Sequence, residues 1–303
     1  MIPVLDLESG SERGRSKDLV EYLGTTGFVY LKNHGIPDSM IDSCRNAAKG
    51  FFAQNLDFKE SFCIHDDYKY IGYKGFEKER LNPKQKEFDM REAVNYDAHD
   101  FPSNIWPDKP SEASTVPLMG ELGALAGRIL KMIGAGLNLN NPDLFYETHD
   151  FFKVNKPPSS KSMTVFRINH YPKLNANQLK EDQVLCGEHA DFGTITLLIQ
   201  DHVPGLEVQM TDGTFVEAKP MEGTILLNIG LLLENWTNGR LRATRHRVVK
   251  PTVEERMTLV LFVMPEEHVK VQPIQELNDS DAPIQYNSYH PAEFCHMMLA
   301  GII

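Results

Sequence analysis

Two short segments of the chain, far apart in the sequence, carry residue types that together could bind a redox-active metal ion. His189 and Asp191 lie two residues apart, and His246 follows much later. Two imidazoles and one carboxylate make the facial triad that holds Fe(II) and leaves coordination positions open. Arg256 and Thr258 come soon after, and a guanidinium can bind a carboxylate through two parallel hydrogen bonds. These residues predict an iron site open to O₂, with an anion-binding arginine beside it.

Strands are the elements best suited to position these side chains. Residues i and i+2 of an extended strand share a face, so we expect His189 and Asp191 to project together from the beginning of one strand. Arg256 and Thr258 have the same spacing, and His246 must come from a third strand. A second His-x-Asp triplet, at residues 65–67, lies in a charged segment with no strand pattern after it. We interpret that triplet as a surface feature.

Hydrophobic periodicity predicts helices in the first half of the chain and a β-rich second half. The predicted helices span residues 16–24, 38–54 (with Asp38 as N-cap), 116–137, a short one from Asn141-Pro142, and 291–299. The predicted strands span residues 2–7, 27–31, 88–96, 163–171, 194–199, 206–210, 214–218, 224–229, 246–249 and 258–264. Short strands separated by Gly, Pro, Asn and Asp turns are typical of an antiparallel sandwich or barrel. The predicted fold class is therefore α+β, a double-stranded β-helix (jelly-roll) core flanked by N-terminal helices and a C-terminal helix. Residues 1–110 and 111–303 would form one integrated domain.

Composition narrows the class of partner. The 303 residues carry a net charge of −11, which disfavours binding to nucleic acid or to an anionic membrane surface. The four cysteines are scattered, the N-terminus lacks the pattern of a secretory leader, and the longest apolar stretch is too short to span a bilayer. We therefore expect a cytoplasmic protein with a small-molecule substrate, and a monomer by default.

The order of the motifs carries a family resemblance. His189-Ala-Asp-Phe-Gly-Thr-Ile-Thr-Leu-Leu, then Arg245-His-Arg-Val, then Arg256-Met-Thr resembles the isopenicillin N synthase-like branch of the Fe(II)/2-oxoglutarate-dependent dioxygenases. Residues 2–6, 27–37 and 72–77 resemble the N-terminal part of that family. The resemblance implies that His189, Asp191 and His246 bind iron, with O₂ and 2-oxoglutarate as cosubstrates.

The same resemblance assigns the residues that would hold 2-oxoglutarate. Arg256 and Thr258 match the family's Arg-x-Ser, which grips the distal carboxylate, and Asn169 and Tyr171 match its Asn-x-Tyr pair. Thr258 departs from the usual serine, but it keeps the hydroxyl. The expected reaction is oxidation of a C–H bond by hydroxylation, desaturation or ring closure, with succinate and CO₂ as coproducts.

The substrate pocket is less constrained by the sequence. Arg167 shares a strand face with Asn169, so it could bind a substrate carboxylate or form an ion pair with Glu188 or another carboxylate. Candidate wall residues are the aromatic side chains of Phe192, Tyr73 and Phe76. Four alternatives remain open: an isopenicillin N synthase-type oxidase without a 2-oxo acid, an aminocyclopropane-carboxylate oxidase arrangement, a catalytically silent jelly-roll binding protein, and a zinc hydrolase.

Overall fold

A computed structural model describes residues 1–63, 71–82, 84–98, 104–149, 162–175, 178–181, 183–249, 254–278 and 283–299. Its helices are α1 (Glu12–Thr26), α2 (Asp38–Phe52), α3 (Leu56–Glu60), α4 (Lys109–Gly136), α5 (Leu144–Glu147), α6 (Leu231–Trp236) and α7 (Pro291–Leu299). Its strands are β1 (Val4–Asp6), β2 (Phe28–Lys32), β3 (Gly72–Lys74), β4 (Glu92–Asp97), β5 (Val165–Tyr171), β6 (Cys186–His189), β7 (Ile195–Ile199), β8 (Leu206–Gln209), β9 (Phe215–Glu217), β10 (Thr224–Ile229), β11 (His246–Val248) and β12 (Arg256–Val263). The second His-x-Asp triplet lies outside the described residues.

The strands form two sheets that share one cavity. The large sheet has the order β1-β2-β10-β7-β12-β5-β4-β3, and the small sheet has the order β6-β11-β8-β9. Pairing is antiparallel except between β1 and β2. Side chains of both sheets line the cavity, among them Tyr171 and Thr258 from the large sheet and His189 and His246 from the small one. The architecture is the predicted α+β fold with a jelly-roll core.

The large sheet draws strands from both ends of the chain. β2 pairs with β10 from Phe28 opposite Asn228 to Lys32 opposite Thr224, and β4 pairs with β5. Residues 1–110 therefore supply both edges of the large sheet, while later residues supply its centre. The cavity wall formed by β5, β12 and β7 lies between these edges.

The helices cover the outside of this sheet. α4 packs against α1 and α2, and it buries an apolar stripe that includes Leu118, Leu122 and Ile129. α4 begins seven residues before the predicted start, because the Asp108 side chain caps it by accepting from the Ser111 amide. Pro117 lies inside the helix, although the sequence pattern favoured a start there. Within the described residues, the structure contains no helix long and apolar enough to cross a bilayer.

Two local predictions were wrong, and the second of them concerns the site. Asp38 is the first residue of α2 rather than its N-cap; Pro37 occupies the cap position, with no side-chain cap bond. His189 is the last residue of β6, a strand that the sequence pattern did not predict, and Asp191 follows in the β6–β7 connection. The two side chains therefore do not share one face at the start of a strand. The turn after β6, rather than strand alternation, brings them together.

Candidate active site

Three potential metal ligands converge at one end of the small sheet. His189 ends β6, His246 begins β11, and the register places these two histidines directly opposite each other. The Nε2 atoms of His189 and His246 lie 3.6 Å and 3.7 Å from Oδ1 of Asp191. The ligand atoms of all three residues lie within 4.8 Å of one another, and they are the one such group among the described residues. Two imidazoles and one carboxylate at this spacing fit a single Fe(II) ion.

Both imidazoles are oriented in the way that metal binding requires. Nδ1 of His189 lies 2.8 Å from the Gly187 carbonyl oxygen, and Nδ1 of His246 lies 3.1 Å from the Thr244 carbonyl oxygen. A carbonyl can only accept, so each Nδ1 carries a hydrogen, and each ring in its neutral form presents the Nε2 lone pair to the centre. Phe28 packs edge-on against the His246 ring at 5.4 Å, which further fixes its orientation.

The carboxylate of Asp191 is also held from behind. Its Oδ2 accepts hydrogen bonds from the Thr196 hydroxyl at 2.7 Å and from the Asn228 amide at 2.8 Å. Both donors are buried, on β7 and β10. Oδ1 is left facing the two imidazoles, so one oxygen is used for orientation and the other is presented to a metal ion. Such supporting bonds typically affect metal affinity by about tenfold or more.

The charges of the triad depend on one another. Burial alone would raise the pKa of Asp191, but the His246 and His189 imidazoles hold that pKa well below its usual range. Burial opposes protonation of His189, but the Cys186 sulfur and the Asp191 carboxylate outweigh it and raise the pKa of His189 to about 10. Burial and the neighbouring His189 lower the pKa of His246 to about 4. These couplings favour a proton on His189 over one on His246.

Arg256 is a nearly fully buried cation in the same cavity. It is 1% exposed, its Nε donates to the Val203 carbonyl at 3.1 Å, and its Nη2 donates to the Gln200 amide oxygen at 3.2 Å. In the part of the chain that the structure describes, both acceptors are uncharged. Burying a cation is energetically costly unless it pairs with an anion. The positive charge of this guanidinium is therefore available to pair with a carboxylate ligand.

The remaining predicted cosubstrate residues lie next to Arg256 in the sheet. The β12–β5 register places Arg256 opposite Tyr171 and Thr258 opposite Asn169, and all four side chains line the triad cavity. The Arg256 guanidinium lies over the Tyr171 ring at 4.9 Å, and the Asn169 amide donates to the Thr258 hydroxyl at 3.2 Å. The structure therefore brings together the triad and all four residues of the predicted 2-oxoglutarate set.

Arg167 forms the ion pair that was one of its two predicted roles. Its guanidinium forks onto the Glu79 carboxylate, and its Nε donates to Asn169 Oδ1 at 2.7 Å. Glu188 pairs instead with Arg245. Arg167 is not among the residues lining the triad cavity within the described chain.

The three aromatic candidates do not meet at the cavity. Tyr73 is a core residue, and its hydroxyl donates to Glu92 at 2.5 Å. Phe192 is partly buried against the main core, and Phe76 is partly exposed in the segment after β3. The described cavity lining contains Phe28 and Phe262 instead. None of the three lines the triad cavity within the described residues, and their role as substrate-wall residues stays a prediction.

Several cavity residues were missed by the sequence analysis. Thr196 and Asn228 are polar residues inside apolar strands, a pattern that could have marked them as buried hydrogen-bond donors. Arg91 lines the cavity just before β4, and its Nη1 donates to Asn169 Oδ1 at 2.9 Å. No periodic signal distinguishes Arg91 from the other charged residues of its segment.

Comparison with known proteins agrees with this geometry. Residues 162–265 match the family model described as the 2OG-Fe(II) oxygenase superfamily, and residues 2–109 match the model described as non-haem dioxygenase in morphine synthesis N-terminal. The chain is 30% identical to validamycin A dioxygenase from Streptomyces hygroscopicus subsp. limoneus, over 90% of this chain and 79% of that protein. It is 32% identical to the 2-oxoglutarate-dependent dioxygenase frbA from Dothideomycetidae sp., over 82% and 79%.

Solved structures share the fold along almost the entire chain. A full-length protein of Neurospora crassa, crystallised in complex with alpha-KG, aligns with a TM-score of 0.85 and 23% identity, covering 99% of this chain and 96% of that one. JOX2 in complex with 2OG, Fe and JA aligns with a TM-score of 0.81 and 26% identity, covering 98% and 84%.

Proposed function

Because the chain belongs to the 2-oxoglutarate–Fe(II) oxygenase superfamily, we propose that His189, Asp191 and His246 are its iron ligands. The enzyme is a non-haem oxygenase that uses Fe(II), 2-oxoglutarate and O₂, and it oxidises a small molecule. The observation that carries the ligand assignment is the convergence of two Nε2 atoms and one carboxylate oxygen in a buried cavity. Iron bound there supplies the coupling of 2-oxoglutarate decarboxylation to oxidation of a substrate C–H bond.

Four further residues bind 2-oxoglutarate under this proposal. Arg256 pairs with its distal carboxylate, because the guanidinium is buried beside the triad with uncharged partners. Thr258 and Tyr171 offer hydroxyl donors to the same carboxylate, and Asn169 supports Thr258. Removing one partner of a charge-assisted contact of this kind costs about 2–5 kcal/mol.

An anaerobic titration with 2-oxoglutarate tests both assignments. Fe(II)-loaded wild-type protein should develop a visible charge-transfer band that saturates with 2-oxoglutarate. His246→Ala should abolish the band by removing a ligand, and Arg256→Ala should raise the concentration needed for saturation. Arg245→Ala is the matched control, because Arg245 neighbours His246 but pairs with Glu188 at the surface. An unchanged titration of Arg256→Ala would contradict the anchor, and iron binding by His246→Ala at wild-type affinity would contradict the triad.

We also propose that the small-molecule substrate does not depend on a carboxylate bound by Arg167. Arg167, the cation that the sequence offers for a substrate carboxylate, already has its charge matched by Glu79. The names of the relatives refer to chemically different small molecules, among them validamycin A and feruloyl CoA. A panel of free acids and their matching amides, followed by O₂-dependent succinate release, tests this point. Turnover of acids alone would contradict it.

We also propose the class of partner, the cellular location and the oligomeric state of the enzyme. The net charge of −11 supports a small-molecule substrate rather than nucleic acid or a membrane surface. All four cysteines are free, which fits the reducing cytoplasm. We expect a monomer, and light scattering after size-exclusion chromatography measures this directly.

A further inference from the structure

The Asn169 side chain lies at the centre of a hydrogen-bond chain whose direction is fixed by chemistry. Its Oδ1 is 2.9 Å from Nη1 of Arg91 and 2.7 Å from Nε of Arg167. A guanidinium can only donate, so the Asn169 atom between the two arginines must be the oxygen. The alternative amide orientation would set an NH₂ group against two cations. The amide orientation therefore follows from its neighbours.

The fixed amide determines what Thr258 can do. With Oδ1 facing the arginines, the Asn169 NH₂ faces Thr258 and donates to its Oγ1 at 3.2 Å. Oγ1 then acts as an acceptor in this bond, and the hydroxyl hydrogen remains for another acceptor. Thr258 is 1% exposed and lines the triad cavity, two residues along β12 from Arg256. The hydroxyl hydrogen and the Arg256 guanidinium are thus both donors in the same buried space.

The two arginines are themselves held in place. Arg91 and Arg167 are 6% and 8% exposed, and both pair with Glu79, which lies in the segment between β3 and β4. Asp89 lies 3.7 Å from Arg91 and adds a second carboxylate. Two carboxylates thus face the two guanidiniums and balance their charge. Their N–H groups donate to Asn169, which in turn donates to Thr258.

We propose that Arg91 and Arg167 are positioning residues for 2-oxoglutarate, acting through Asn169 to leave the Thr258 hydroxyl as a donor to the distal carboxylate. This donor relay (Arg91, Arg167, Asn169 and Thr258) rests on the proposed cosubstrate site and deepens it. Its consequence is selectivity. The relay strengthens binding of a dicarboxylic 2-oxo acid and has no effect on one that lacks the distal carboxylate.

A purely structural role for the arginines makes a different prediction. Loss of a buried ion pair would lower the stability of the cavity wall and would weaken the binding of every oxo acid equally. Loss of one positive charge would weaken the binding of 2-oxoglutarate whether residue 258 is threonine or valine. The donor relay alone predicts that the effect of Arg91 depends on both the distal carboxylate and the Thr258 hydroxyl.

Calorimetric binding to anaerobic Fe(II)-loaded protein separates these roles. The two ligands are 2-oxoglutarate and 2-oxopentanoate, which has the same chain length but no distal carboxylate. We expect Arg91→Met, which leaves Arg167 as the remaining arginine donor to Asn169 Oδ1, to weaken binding of 2-oxoglutarate about fivefold and to change binding of 2-oxopentanoate less than about twofold. Arg91→Lys keeps a donor and a charge, so it should recover most of the affinity.

Thr258→Val supplies the second half of the test. If the relay acts through the hydroxyl, Arg91→Met should have little further effect in the Thr258→Val variant. The double variant should bind 2-oxoglutarate less than about twofold more weakly than Thr258→Val alone. Arg247→Met is the matched control for charge alone, because Arg247 lines the same cavity but bonds to Glu207. The effect of Arg247→Met should be the same whether it is made in the wild-type protein or in the Thr258→Val variant.

Each outcome has a definite meaning. Equal weakening of both oxo acids by Arg91→Met, or an undiminished effect in the Thr258→Val background, would overturn the donor relay and leave the cosubstrate site standing. Wild-type protein that binds iron but not 2-oxoglutarate would overturn the proposed cosubstrate site and the relay together.

Discussion

Glu79→Gln tests the buried charge cluster behind the active site. Glu79 is the shared partner of Arg91 and Arg167, and its side chain is 20% exposed. Glutamine keeps the shape and one acceptor oxygen but removes the negative charge. Arg91 would then keep Asp89, 3.7 Å away, and Arg167 would lose the carboxylate with which it pairs. We expect a folded but less stable protein.

The magnitude follows from the pKa of this carboxyl group. Burial would raise the pKa, but the Arg167 and Arg91 guanidiniums outweigh it and lower the pKa of Glu79 from 4.5 to about 2. A carboxylate with a depressed folded-state pKa stabilises the fold above its unfolded pKa, and that contribution is lost as the pH falls toward the folded pKa. A shift of this size corresponds to about 3 kcal/mol at pH 7. Roughly 2 kcal/mol of it should be lost by about pH 3.

Urea unfolding of wild type and Glu79→Gln from about pH 7 to about pH 3 measures this contribution. The difference in unfolding free energy should be largest near neutral pH and should shrink below the ordinary pKa of 4.5. Glu77→Gln is the control, since Glu77 lies two residues away and pairs with Lys180 at the surface, where a pair is worth less than about 1 kcal/mol. A difference for Glu79→Gln that stays constant with pH, or one no larger than the control, would refute the reasoning.

Three further predictions concern the triad and its supports. Asn228→Leu removes one hydrogen bond to Asp191 Oδ2, and Mn(II) or Fe(II) affinity in a competition titration should fall about tenfold; unchanged affinity in folded protein would contradict this. Metal binding competes with protonation of His189, whose pKa is raised to about 10, so metal affinity should rise with pH from about pH 6 to about pH 8, and a flat profile would count against it. Gly230→Ala sets a Cβ 2.2 Å from a backbone oxygen in the loop that carries Asp191, and should cost about 1–3 kcal/mol in urea unfolding, unlike Gly50→Ala, where the space is open.

The sequence predicted the triad and Arg256 because the order of the motifs along the chain can be recognised even where individual strands and turns are predicted wrongly. The turn that actually joins His189 and Asp191 differs from the predicted strand, yet the two residues meet because they are close in the chain. The jelly roll followed from short apolar strands between turn residues, and most of those strands lie within a few residues of their predicted positions. The α+β fold class was confirmed for that reason.

Ion pairs between residues that are far apart in the sequence could not be predicted. Glu79 and Arg91 lie in a polar stretch without periodicity, where nothing in the local pattern says which charge meets which. The pairing of Arg167 with Glu79 rather than Glu188 is set by how the segment after β3 folds over β5. The positions of the aromatic candidates outside the triad cavity could not be predicted for a related reason, because a large apolar side chain fits the core as readily as a cavity wall.

The pairing of β2 with β10 has a consequence for the order of events during biosynthesis. β2 is synthesised early, but its partner strand, and the histidine that Phe28 packs against, emerge from the ribosome only much later. Until then β2 has one edge without its final neighbour, an exposed strand edge of the kind that favours aggregation. Metal-binding competence would therefore appear at the end of translation rather than gradually. A nascent chain interrupted before β11 would lack His246, one of the three proposed iron ligands.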